Sequence, residues 1–364
     1  PSRSKKHLNR RLTMSSHKLK QTFKSKPAIA VLSLVLVAAG FGVTFALLPR
    51  EQSDVSQKTT NQQKDQPAPN QTVQGLQLDT TKSYGNKYAN GVLPVGDGKH
   101  SSTSASKGTI YACSQYEQNI AREIGGAGSR GPWFSDDGQS YDINKKTRVS
   151  GKVAWAAQFS QTVNTSGRTI TTNGLPSHTT GIFPIAASDP AYLYDRNPNK
   201  IQTQSLTLNL PLSPKYGDPQ CMGGEAGIML TGAVLFNGFD AGGRDAGAWE
   251  VQDSCGGHPQ VQGEYHYHTL SSCISDTSVS TIIGYALDGF PITGPKVGDN
   301  NILTTDDLDE CHGIFSNLTV NGKSTMTYHY VMTQDFPYSV SCFRAKPNQI
   351  SDALHSRPQP GMQP

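Results

Sequence analysis

The sequence predicts a mostly β domain, sandwich-like or a distorted barrel, fastened by disulfides and preceded by one transmembrane α-helix. Three observations predict it. The region spanning residues 82–345 is rich in Gly and Pro, and its apolar runs are short, β-branched or aromatic. The six cysteines all lie within that region. A single long segment without charge, residues 28–48, stands ahead of it.

Taken in chain order, residues 1–27 form a basic arm. Residues 1–26 hold nine of the chain's 32 Lys and Arg and no Asp or Glu. Residues 28–48, AIAVLSLVLVAAGFGVTFALL, would rise about 31 Å as a helix, against a bilayer core of about 30 Å. The positive-inside rule keeps the arm in the cytoplasm and sends the rest across, to an extracellular or periplasmic location. A cleaved signal peptide ending near Ala46 competes with this reading, but the apolar run exceeds the usual signal length. A single-pass anchor is therefore expected. Residues 49–81 are polar and read as a flexible stalk, and residues 346–364 as a disordered tail.

Beyond residue 49 the chain carries 23 Lys and Arg against 28 Asp and Glu. A mildly acidic ectodomain lacks the basic face that nucleic-acid binding needs. No nucleotide cofactor is expected either. NQT, NTS and NLT at Asn70, Asn164 and Asn317 would be glycosylated only in a eukaryotic secretory route.

Six cysteines without a C-x2-C spacing read as staples in an oxidising compartment. Fifteen pairings are open in principle. Short loops cost least to close, which favours Cys255–Cys273 and Cys311–Cys342 and leaves Cys113–Cys221. The first would be worth about 3 kcal/mol for a loop of about 17 residues.

Strand-like runs follow one another: KTRVSGKVAWAAQFS, RTITTNGLP, SLTLNLPLSP, GIMLTGAVLFNG and TIIGYALDGFPITGP, the last with an Asp288–Gly289 turn. The best helix candidate is short, SQYEQNIAREI at 114–124.

The chemistry concentrates in HPQVQGEYHYHTLSSC, residues 258–273. On a strand, His266 and His268 share one face while Tyr265 and Tyr267 share the other, with same-face residues about 6.5–7 Å apart. Such a pair suits Zn or Cu. Third-ligand candidates are His258, His312 and His329, with Asp288, Asp309 and Glu310 as carboxylates. His266 with Asp253 or Glu264 would suit acid–base chemistry. The plain alternative is that Tyr and His fill half-buried strand positions and make only hydrogen bonds. No G-x-S-x-G, no free Cys and no H-E-x-x-H supplies a nucleophile or a zincin site. An internal echo links GEYHYHTLSSC to TYHYVMTQDFPYSVSC, each a Tyr-His-Tyr followed by a cysteine.

EVQDSCGGHPQVQGEYHYHTLSSC, GYALDGFPITGP, LDECHG and YHYVMTQDFPYSVSCFRA, with VLFNGFDAGGRDAGAWE and SDPAYLYDRNPN, resemble the YHYH-domain family over residues 82–345. The second motif departs from the first by ending in Val331. The resemblance implies export, a disulfide-containing ectodomain and interest in Tyr265 to His268, but no reaction. Three functions are therefore expected in this order. They are a metal-binding ectodomain using His266, His268 and His312 or His329; a surface module binding glycan or protein through Trp133, Phe134 and Tyr194; and a metal-dependent hydrolase or oxidase.

Overall fold

The computed structural model describes residues 75–116, 130–320 and 322–355. The basic arm, the 28–48 segment, most of the stalk and most of the 114–124 helix candidate lie outside these residues. Among the described residues no helix is long and apolar enough to cross a membrane.

The chain is mostly β. The first strands are β1 (Val92–Pro94), β2 (His100–Ser101), β3 (Ile110–Tyr111), β4 (Ser140–Asp142), β5 (Phe159–Asn164) and β6 (Gly167–Thr172). Next come β7 (Leu206–Leu210), β8 (Glu225–Met229), β9 (Val234–Phe236), β10 (Gly257–Pro259), β11 (Tyr265–Tyr267) and β12 (Ile282–Ala286). The last are β13 (Pro291–Thr293), β14 (Lys296–Gly298), β15 (Asn301–Ile302), β16 (Gly313–Val320), β17 (Lys323–Val331) and β18 (Ser351–Asp352). Described helix is confined to one α-turn, α1 (Ala246–Trp249), and 3-10 turns at Pro190–Leu193 and Thr305–Asp307.

Two larger sheets carry most of these strands, and β1 with β4, β2 with β3 and β14 with β15 form three two-stranded sheets. Of the larger two, one has four strands in the order β18-β7-β6-β5, the other eight in the order β10-β11-β9-β8-β12-β13-β17-β16. The eight-stranded ladder runs from edge to edge, so it does not close into the expected barrel. Ile170, Leu206 and Leu208 of the smaller sheet share one core with Ile228, Val234, Tyr265, Tyr285 and Tyr330 of the larger. Burying such side chains removes apolar surface from water at roughly 25 cal/mol per Å2.

The large sheet repeats itself about its centre. Strand β8 pairs antiparallel with β12, Met229 opposite Gly284 and Gly227 opposite Ala286. On either side a hairpin follows, β8–β9 or β12–β13, and each has a register shift at its start, between Glu225 and Gly227 or between Ile282 and Gly284. Each hairpin's second strand then pairs in parallel with a Tyr-His-Tyr strand. Leu235 lies opposite Tyr267 and Ile292 opposite Tyr330. An antiparallel edge strand completes each half, placing His258 opposite His266 and Ile314 opposite His329. The short sequence echo thus marks two equivalent halves of four strands.

Three disulfides join Cys113–Cys221, Cys255–Cys273 and Cys311–Cys342, the pairs expected from loop length.

The domain is longer than its expected boundaries. Leu78, placed in the stalk, donates its main-chain N–H to Phe315 at 2.8 Å and packs with Leu303, Leu308, Ile314 and Val331. Residues 346–355, placed in the tail, include buried Ile350 and strand β18, which pairs with β7. In both places isolated apolar residues bury themselves among polar neighbours, which a composition argument averages away.

Candidate metal centre

The first half of the large sheet gathers three imidazoles. His266 lies on β11 and His268 just beyond it, on the same face, with their Nε2 atoms 3.1 Å apart. His258 enters from edge strand β10, directly opposite His266. All three are buried and offer ligand atoms within 4.8 Å of one another.

A carboxylate joins them. Glu250 follows α1, whose turn is capped by the Asp245 carboxylate accepting from the Ala248 N–H at 3.2 Å. Glu250 Oε2 lies 3.3 Å from His258 Nε2 and 3.3 Å from His268 Nε2. Its side chain is 18% exposed, more than those of His258 and His268, but Oε2, the oxygen that faces the imidazoles, is buried.

The tautomers follow from the neighbours. His266 Nδ1 faces the Glu264 carbonyl at 3.2 Å and His268 Nδ1 faces the Asn237 carbonyl at 2.5 Å. A carbonyl only accepts, so each Nδ1 carries the proton and each Nε2 lone pair points into the cluster. Carbonyls behind a metal-ligating imidazole do this generally. Phe236 stacks on His266, with ring centres 4.2 Å apart, and fixes its plane.

Electrostatics keep the rings neutral. Burial, then the neighbouring imidazoles, holds His258 and His266 well below the usual histidine range. Burial takes His268 down to about 4. The Glu250 carboxyl is pushed well above its usual range, first by burial and then by Asp240 and Asp195. Both nitrogens of His258 and Glu250 Oε2 are buried with no hydrogen bond among the described residues. Unspent buried donors cost free energy unless something takes them up. Lys146 sits close by, buried, bonded to the Gly247 carbonyl and to Gln252 Oε1, and burial lowers it to about 7.

The tyrosines face the other way. The Tyr265 hydroxyl donates to Asp253 at 3.0 Å, and that carboxylate also accepts from the N–H groups of Cys255 and Gly257. The Tyr267 hydroxyl meets Thr231 Oγ1 at 3.1 Å and the ring of His178.

The second half builds the same frame without the centre. The Tyr328 hydroxyl donates to Asp309 at 3.0 Å, which accepts from the N–H groups of Cys311 and Gly313. The Tyr330 hydroxyl donates to Asp288 at 2.6 Å. The structure does not bring His312 or His329 to His266 and His268. His329 meets Thr293 Oγ1 at 2.9 Å and Ser316 Oγ at 2.8 Å, so both its nitrogens are engaged. His312 meets Thr333 Oγ1 at 3.0 Å and occupies a left-handed backbone position, φ 71°. Ile314 stands where the first half has His258, and Val331 where it has His268.

Of the carboxylates expected as ligands, Asp288 and Asp309 instead hold tyrosine hydroxyls, and Glu310 pairs with Arg344 at 2.8 Å; Asp253, expected as an acid–base partner of His266, likewise holds a tyrosine hydroxyl. Glu264 is buried beside Gln260 and contributes its carbonyl, not its carboxylate, to His266. Residues that sequence reasoning missed are Glu250, Lys146, Asn237 and Phe236. Glu250 stands at the head of EVQDSCGGHP, yet no periodicity ties it to the histidines. Trp133, expected on the surface, is buried with its indole N–H on the Ala248 carbonyl, and Phe134 and Tyr194 pack against it. A second group, His178 with Cys255 and Cys273, has its two sulfurs committed to a disulfide.

Comparison with protein families finds one match: residues 208–303 fit the family described as YHYH protein. The matched stretch holds the whole first half of the sheet, with His258, His266 and His268, and stops short of β16 and β17. It is narrower than the 82–345 span over which the motifs show their resemblance. No curated protein and no solved structure matches.

Proposed function

We propose that this chain is a membrane-anchored, extracytoplasmic metal-binding protein, with zinc or copper held by His258, His266 and His268 and with Glu250 as fourth ligand. One observation carries the reading: neutral imidazole lone pairs converge beside an unpartnered carboxylate oxygen at coordination spacing. Zn–N bonds of about 2.0–2.1 Å put tetrahedral donors about 3.3–3.4 Å apart. Three donor pairs here stand at 3.1, 3.3 and 3.3 Å. Imidazole serves zinc and copper alike, and iron and nickel too, so elemental analysis decides the metal. The uncharged 28–48 segment and the cysteines, all paired, support the anchored location. Glu250, the one carboxylate of the set, is where an exchangeable site or a metal-dependent hydrolysis would begin. The surface-module reading loses Trp133, which is interior, and keeps only half-buried Phe134 and Tyr194.

The test is elemental analysis of untagged chain, followed by titration of stripped chain with Zn2+. One ion per chain is expected, with proton release as Glu250 ionises. No zinc or copper above background, and no uptake on titration, would overturn the reading.

A further inference from the structure

The three histidines are enclosed by one disulfide. His258, His266 and His268 all lie between Cys255 and Cys273 in the chain. His258 rides on edge strand β10, which is three residues long and pairs only with β11. No hydrogen bond holds its ring among the described residues. β10 is held by its short pairing, the Asn197 amide donating to the Pro259 carbonyl at 2.9 Å, the Asp253 cap on the N–H groups of Cys255 and Gly257, and the covalent tie at Cys255, which is nearest to His258 on its N-terminal side.

That tie is open to solvent at one end. Cys255 is buried, but Cys273 is exposed and lines a cleft of about 300 Å3 with Ser177, Thr231 and Asp276. The His178 ring lies within 4.8 Å of both sulfurs. The equivalent disulfide of the other half, Cys311–Cys342, is buried at both ends, 0% and 0% exposed.

We propose that Cys255–Cys273 is a redox-sensitive clamp on the metal centre, opened by a dithiol reductant with loss of the metal; this rests on the metal-binding reading above. A thiolate of the reductant attacks Cys273 Sγ, a mixed disulfide forms, and Cys255 leaves as thiolate and takes up a proton, with His178 the adjacent imidazole. The reductant's second thiolate then attacks its own sulfur in the mixed disulfide and expels Cys273, which is protonated in turn. The dithiol is oxidised to its disulfide, and the cysteine pair gains two electrons and two protons. Freed of the tie, β10 frays and His258 leaves the other two imidazoles.

The full chain loaded with Zn2+ alone is titrated with a water-soluble phosphine, so that no reductant thiol competes for zinc. Released zinc is followed with a chromogenic indicator, and opened cysteines by alkylation and peptide mapping. Alkylation of Cys255 and Cys273 should precede that of Cys311 and Cys342. Zinc should be released in step with it, its affinity falling at least ~10-fold as in the loss of a supporting group. A C255S/C273S variant should keep its β circular dichroism, bind zinc as weakly as the reduced chain, and no longer respond to the phosphine. Zinc retained on the chain after both cysteines are alkylated would sink the clamp, as would release that persists in that variant. An oxidised chain that takes up no zinc would sink the metal reading along with it.

Discussion

The two halves of the eight-stranded sheet share a frame and differ in what they do with it. In each, an Asp-x-Cys-x-Gly turn presents a carboxylate that accepts from the two N–H groups of its own turn and one tyrosine hydroxyl, Asp253 with Tyr265 and Asp309 with Tyr328; Asp253 also accepts from the Gly181 N–H. In each, the next tyrosine of the strand reaches the hairpin turn, Tyr267 to Thr231 and Tyr330 to Asp288. The histidines part company. Three converge in the first half, whereas the second offers His329 beside Ile314 and Val331, satisfied by two hydroxyls. The Tyr-His-Tyr signature is thus scaffold first. What sets the first half apart is the pair of extra histidines and the carboxylate, the set proposed above to hold a metal.

The strongest way to break this comparison is to empty the first half. Replacing His266 and His268 together with Ala should abolish zinc uptake, a loss of at least ~1,000-fold in affinity, because it removes two of four ligands. His329→Ala should leave zinc stoichiometry at one while lowering stability by about 2–3 kcal/mol, through an emptied ring site and two orphaned hydroxyls. Isothermal titration with denaturant melts checks both. A drop in zinc content from His329→Ala alone would show that the halves are not separate.

The shared frame is tested through its carboxylates. Asp309 also holds Arg344 at 2.7 Å in a buried pair, whereas Asp253 has no such partner in its hydrogen bonds or ion pairs among the described residues. Asp309→Ala should therefore cost more, about 3–5 kcal/mol, since it removes the buried partner of the Arg344 guanidinium and leaves it only the more exposed Glu310. Asp253→Ala should cost about 2–3 kcal/mol from lost hydrogen bonds. Denaturant midpoints decide, and equal losses would mean that Arg344 contributes nothing.

The sequence made a good part of this legible. Strand runs closed by Gly, Pro and Asp-Gly turns identified the β class, and loop length identified the disulfides. The shared face of His266 and His268 followed from strand alternation. The third histidine was legible only as a candidate: His258 stood beside His312 and His329, and the Cys311–Cys342 pairing drew more weight to the latter two. His258 reaches the cluster through cross-strand pairing of β10 with β11 across the short 260–264 loop, and a register through an irregular loop has no periodicity to read. Glu250 was hidden because a single α-turn, too short to show a period, delivers it. Asp288 and Asp309 looked like ligands because a buried carboxylate that caps a turn has the same composition as one that binds a metal.

Acid should loosen the second half in a predictable direction. Burial lowers His312 and His329 from an ordinary 6.5 to about 3. Between those values the unfolded chain binds protons that the folded chain does not, so stability is full above 6.5 and is lost as pH falls toward 3. By linkage each should cost about 2 kcal/mol between pH 7 and pH 5. Buried carboxylates such as Glu264, raised to about 8, move the other way over this interval, so the single ring is read by difference. In metal-free chain, the change in stability from pH 7 to pH 5 should be about 2 kcal/mol less unfavourable in His329→Gln than in the native chain. The same change in both would mean that this ring stays charged or exposed.

The smallest effect sharpens the comparison most finely. Phe236 and Thr293 occupy equivalent places beside the central histidine, opposite Glu225 and Ile282 in their hairpins. Phe236 stacks flat on His266, with planes 28° apart, and leaves both ring nitrogens to the Glu264 carbonyl and the cluster. Thr293 instead puts a hydroxyl on His329 Nδ1. Phe236→Thr should therefore pull the first half toward the second: His266 loses its stacking partner and gains a competing hydroxyl. Zinc affinity should fall about 10-fold, the lower end for residues that orient a ligand from behind, while stoichiometry stays at one. Phe236→Leu, which removes the stack without adding a hydroxyl, should lose less. If both variants bind zinc as tightly as the native chain, the plane of His266 is fixed by its carbonyl contact alone, and the aromatic ring at this position belongs to packing rather than to the metal.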